Sequence, residues 1–156
     1  MIQRKQTVFL LLAVIASVVL FFFPLAHFIG EKDSIVLYVQ KIFSLVPDNK
    51  LEYGITFLLP LLIPNIFVIL FSVGAIFLFK NRKLQMRIIQ LNMFVEVVMI
   101  ALFFFYDVRV LQSAAGSVPD YNVGAIIPPV VLILLFLSYQ GVRSDEKLVR
   151  SADRLR

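Results

Sequence analysis

Four long apolar stretches, residues 7–29, 55–79, 84–106 and 124–142, alternate with shorter polar segments along the chain. At about 1.5 Å per residue, helices of these lengths cross a hydrocarbon core of roughly 30 Å with some tilt. The pattern predicts an all-α membrane protein, a bundle of four transmembrane helices. Lys80, Asn81, Arg82 and Lys83 form so short a connection that the second and third spans must be antiparallel neighbours, with Asn81 capping the helix that follows. Prolines qualify the picture. Pro24 is expected to kink or end the first helix near its outer end, and Pro60, Pro64 and Asn65 to bend the outer half of the second. Pro128 and Pro129 suit a first helical turn, so an irregular lead-in is expected before a regular fourth helix.

Two loops face the other way from the hairpin. The first, residues 30–54, contains the β-branched and aromatic run Ile35, Val36, Leu37, Tyr38, Val39 and Gln40, readable as a strand or an interfacial helix, and then a turn at Pro47, Asp48 and Asn49. The second, residues 107–122, carries Val108, Arg109, Val110 and Leu111. Pairing of residues 35–40 with 108–111 would build a small extracytoplasmic β cap, held above the hydrocarbon because open strand edges do not lie in lipid. After a membrane domain of residues 1–143, residues 144–156 read as a separate helix. Ser144 or Asp145 caps it, Glu146 and Arg150 pair at i,i+4, and Leu148, Ala152 and Leu155 share a face.

Charge orients these elements. Eleven of the fifteen Lys and Arg residues fall at Arg4–Lys5, between Lys80 and Arg87, and from Arg143 onward. The other four, Lys32, Lys41, Lys50 and Arg109, sit in the two loops beside Glu31, Asp33, Asp48, Glu52 and Asp107. The basic excess therefore marks one side, and both termini and the 80–87 hairpin are expected in the cytoplasm. With 60% apolar residues in 156, little chain is left for a soluble domain. The net charge of +5 borders helix ends, where it meets lipid headgroups, so nucleic acid is not an expected partner. The first apolar stretch lacks a small-x-small cleavage pattern and reads as an uncleaved span. Absence of cysteine excludes disulfides and thiol chemistry. His27 near the outer surface lacks co-ligands at metal-binding spacing, so no metal and no cofactor are expected.

Glu96 is the ionisable residue placed well inside a span, nine residues beyond Arg87 and so roughly 13 Å deep. It must face protein or water. With Gln85 and Asn92 it forms a polar stripe, and depth matching offers Ser72 and then Ser17 as partners for it. Two roles compete: a proton carrier or cation ligand, and a neutral carboxyl that fastens the bundle or a partner helix.

Residues 1–7, 79–87 and 145–156 resemble those of an uncharacterised family of small four-span inner-membrane proteins of the Bacteroidetes, catalogued as a domain of unknown function, with a likeness that covers the chain end to end. The resemblance implies a four-span topology and a bacterial inner-membrane location, and carries no activity. The resulting expectation is a non-enzymatic accessory or scaffold subunit of an inner-membrane assembly. Its partner, a membrane or cytoplasmic protein, would dock on Arg82, Lys83, Arg87, Glu146, Arg150, Asp153 and Arg154. A small proton-coupled carrier using Glu96 is the alternative, and a membrane enzyme the third reading.

Overall fold

The computed structural model describes residues 5–30, 34–45 and 55–154, apart from the side chains of residues 55, 114, 150 and 152–154. The turn expected at 47–49 and the loop charges Glu31, Lys32, Asp33, Lys50 and Glu52 lie outside the described residues, as do residues 1–4 and 155–156. In order, the elements are α1 (Lys5–Val19), β1 (Ala26–Ile29), β2 (Ser34–Leu37), β3 (Ile42–Ser44) and α2 (Ile55–Phe77). A 3-10 turn at Leu78–Lys80 leads to α3 (Arg82–Leu102), a π-helical turn at Phe103–Asp107, α4 (Val108–Ala115), β4 (Pro119–Tyr121) and α5 (Val123–Arg154). Among the described residues, three segments are long and apolar enough to cross a membrane: Thr56–Lys80, Arg82–Ser113 and Val123–Val149.

Each helix buries one narrow stripe. On α2 it is Leu61, Asn65, Val68, Ser72 and Ala75; on α3 Gln85, Ile89, Asn92, Glu96 and Met99; on α5 Val131, Leu135, Ser138 and Val142. The alternating steps of three and four residues are those of a coiled-coil seam. Opposite faces are covered with exposed Leu, Ile, Val and Phe, among them Leu70, Phe94, Ile133 and Phe136. An apolar outside with polar groups in the seams is the reverse of a soluble bundle, and matches lipid as the solvent.

The apolar stretch expected as span one divides. Its helix stops at Val19, and residues 26–29 form β1 instead of a last helical turn. Pro24 interrupts the helical ladder, and Leu25 donates its amide to Leu37 O at 2.8 Å, starting the sheet. The sheet is antiparallel with order β3-β2-β1-β4. Of the two readings of residues 35–40 the strand holds for 35–37, which lie in β2 and pair with β1 and β3, but Val108, Arg109, Val110 and Leu111 are helical, and the second loop's strand is β4, beside β1. The π-helical turn explains the difference: its extra residue lets the helix continue beyond Leu102 while Phe103, Asp107, Leu111 and Ala115, four apart, stay on the buried face.

Two further expectations change. The fourth helix is regular from Val123, with Pro128 and Pro129 inside it and no irregular lead-in. Nor does a new helix begin at Ser144 or Asp145, because the tail is the last part of α5. Past Gly141 the sequence to Arg154 contains no glycine or proline to stop the helix. The core has two parts, one at the sheet end, where Leu25, Ala26, Phe28, Ile35 and Leu37 meet Phe103, Val108 and Leu111, and one around Leu10, Ala13, Val68, Ile89 and Leu135.

Candidate functional site

Polar side chains in the seams tie one helix to the backbone of the next. From α3, Gln85 Nε2 donates to Ala75 O at 2.8 Å, and Asn92 Nδ2 donates to Ser72 Oγ at 2.7 Å and to Val68 O at 3.3 Å. On α2, Asn65 Nδ2 donates to Ser17 O at 3.2 Å, reaching α1. Ser138 Oγ of α5 donates to Gln6 O at 3.1 Å, again on α1. All these side chains are fully or almost fully buried. In hydrocarbon, where water cannot satisfy an amide, such bonds fix which helices are neighbours and in what register.

Depth matching named Ser72 as the first partner for Glu96, but the structure pairs Ser72 with Asn92. Gln85 on Ala75 and Asn92 on Val68 are seven residues apart on both antiparallel helices. One more turn along the same register brings Glu96 level with Pro64 and Asn65. Glu96 is 1% exposed, and among the described residues its Oε2 has no hydrogen-bond partner; the same holds for the hydroxyl of Ser17, whose carbonyl accepts from Asn65. On the sheet side of Glu96, Leu25, Leu61, Met99, Phe103, Ala125 and Pro128 surround a cleft too narrow for a water molecule.

A second buried carboxylate is Asp107, at the start of the segment expected as the second loop. It closes the π-helical turn, is fully buried, and neither of its oxygens has a partner. Its signal was the stripe itself, since Asp107 stands four residues beyond Phe103 and eleven beyond Glu96, spacings that keep one helix face.

Open concavities lie at the opposite end. One, of about 610 Å³, is lined by Phe79, Lys80, Asn81, Arg82, Lys83, Glu146 and Val149. The other, of about 720 Å³, runs between the first turn of α1, Arg82 and the far part of α5. Arg82 borders both and donates to Asp145 O at 3.1 Å, fastening the α5 extension to the start of α3. Asn81 caps α3 by accepting the Leu84 amide at 3.3 Å. Of the expected docking residues, Arg82, Lys83 and Glu146 come together here, whereas Arg87 is exposed and lines neither concavity. Arg150, Asp153 and Arg154 belong to α5, but their side chains lie outside the described part. His27 sits in β1 across from Val36 and Asp120, and among the described residues no group of three His, Cys, Asp or Glu could hold a metal ion.

No curated protein and no solved structure matches the chain. The profile of DUF4293, described as a domain of unknown function, matches residues 2–155, and the chain belongs to that family.

Proposed function

We propose that this protein is a non-enzymatic accessory or scaffold subunit of a bacterial inner-membrane assembly, a four-span bundle whose cytoplasmic end recruits a partner. The carrying observation is where the polar groups and the open space fall. Within the seams, amides and hydroxyls bind neighbouring backbone, while the roomy concavities lie at the Arg82 end. For the fourth span we take α1 with the turn after it. Gln6 lies abreast of Ser138 and Pro24 abreast of Gly124, so this segment covers the depth that α5 covers over those residues. Basic residues at Lys5, Lys80, Arg82, Lys83 and Arg143 support placing this end in the cytoplasm. Glu96 then serves as a fastening group: a neutral carboxyl is a donor, and the α2 backbone stands level with it.

Deleting residues 145–156 should leave insertion unchanged and abolish co-elution of the partner in mild detergent. Placing a photo-crosslinking residue at the exposed Lys147 in the intact chain should capture the same protein. Co-elution of the same proteins in the same amounts after the deletion would reject the reading.

One observation favours the carrier instead, namely that Glu96 and Asp107 are buried on one continuous helix with carboxylate oxygens lacking partners. Proton flux into proteoliposomes, present in the wild type and absent in Glu96→Gln, would establish that role. No difference between the two would remove it.

A further inference from the structure

We propose that the groove between α1, α3 and α5 binds the phosphodiester headgroup of one anionic phospholipid, with an acyl chain descending along its apolar wall. Its rim carries two cations, Lys5 on the first turn of α1 and Arg82 on the first turn of α3. Arg82 spends one N–H on Asp145 O, which aims the guanidinium while leaving further donors of its five for a phosphate. Ser144 adds a hydroxyl, and Asp145 is the carboxylate on the wall. Among the described lining residues, two positive charges and one negative leave a net single positive charge, the complement of a phosphodiester monoanion.

A second feature points to a ligand independently of the cations. Gln6, on the floor of the groove, is 1% exposed, and among the described residues neither its amide nitrogen nor its amide oxygen has a hydrogen-bond partner. Such a buried amide costs free energy until a polar group reaches it. Gly141 lets α5 pack close to Gln6 here: a Cβ added at Gly141 would lie 3.3 Å from that of Gln6.

The shape favours a lipid over a soluble anion. Phe9 and Leu137 line the groove one turn deeper than Lys5 and Gly141, so its wall passes from the level of the first charged residue to that of the lipid-facing side chains. Basic pockets between membrane helices at this level hold phospholipid headgroups. This proposal does not rest on the recruitment of a protein partner, and it stands for either orientation of the chain.

The test is native mass spectrometry of the full chain in detergent, titrated with phosphatidylglycerol, with phosphatidylethanolamine, and with phosphatidylglycerol in millimolar inorganic phosphate. One phosphatidylglycerol should bind at least about tenfold more tightly than phosphatidylethanolamine, and phosphate should not displace it. Lys5→Gln and Arg82→Gln should each weaken binding about fivefold, and Arg87→Gln, outside the groove, should not. Lys5 is exposed, so Lys5→Gln carries the test even if Arg82→Gln fails to fold. Equal binding of the two lipids, displacement by phosphate, unchanged binding in Lys5→Gln, or an equal loss in Arg87→Gln would each overturn the proposal.

Discussion

Replacing Gly124 by alanine should loosen the outer cap while leaving the rest of the bundle in place. A Cβ built at Gly124 falls 2.3 Å from Pro24 O, 2.7 Å from Pro24 C and 3.0 Å from Leu25 N. These neighbours are backbone, so no side chain can rotate aside, and α5 must retreat by about 0.7 Å to bring the closest contact to even 3.0 Å. The same approach carries hydrogen bonds from Gly124 N to Pro24 O and from Asn122 N to Leu25 O, both at 3.0 Å, and a retreat of that size stretches the first beyond bonding range. Overpacking costs about 1–3 kcal/mol and the lost bond about 1 kcal/mol, against about 1 kcal/mol gained from alanine's helix propensity. The net expectation is a loss of about 1–3 kcal/mol.

Gly74→Ala is the control. It lies within α2, a Cβ there meets nothing within 4 Å, and the change should be neutral or stabilise by up to about 1 kcal/mol. Reversible unfolding in micelles measures both variants. Amide exchange should quicken in Ala26–Ile29 and Pro119–Tyr121 of Gly124→Ala but not in α3. If the two alanine variants unfold alike, the close approach of α5 to the Pro24 corner is not as described.

Asn92→Leu should cost about 1 kcal/mol, because interhelical hydrogen bonds in membranes average roughly 0.6 kcal/mol and Asn92 makes two. A double-mutant cycle with Ser72→Ala should give a coupling near 0.6 kcal/mol, and zero coupling would show that the bond contributes nothing. Glu96→Gln should change unfolding by less than about 0.5 kcal/mol, whereas Glu96→Lys should lose about 2–3 kcal/mol, a contrast that disappears if Glu96 faces water. A phosphatase fused after Arg156 should be inactive and a fluorescent protein at the same point bright; phosphatase activity would reverse the assigned orientation.

The long helices were legible because long apolar runs end at clustered cations, as between Phe79 and Arg87, where Asn81 supplies the cap. The cap was only half legible. Residues 26–29 are apolar apart from His27, and four residues are too few for a period to distinguish strand from helix. Pro119, Asp120 and Tyr121 have poor strand propensity overall and become β4 through pairing with β1, a tertiary effect absent from local sequence. Val108 to Leu111 errs in the other direction, since a β-branched run is kept helical by continuity with α3. Asp107 was missed for the same reason: a span ended at residue 106 excludes the next member of its own buried stripe. Pairing of Asn92 with Ser72, with Glu96 one turn further out, depends on a register that residue counting from the hairpin does not resolve.

The pairing of α1 with α5 has a consequence for how the chain is made. Synthesis proceeds from the N-terminus, so α2 and α3 can close their hairpin early, while α1 waits for the helix it packs against most extensively. β1 likewise has β2 beside it at once but lacks β4 until α4 has emerged. During that interval Gln6, which Ser138 and Gly141 of α5 approach in the finished fold, sits on a short helix with no α5 beside it. A chain that stops before α5 therefore leaves α1 without the neighbour against which it packs most extensively, and its N-terminal span is the last part of the bundle to be fixed in place.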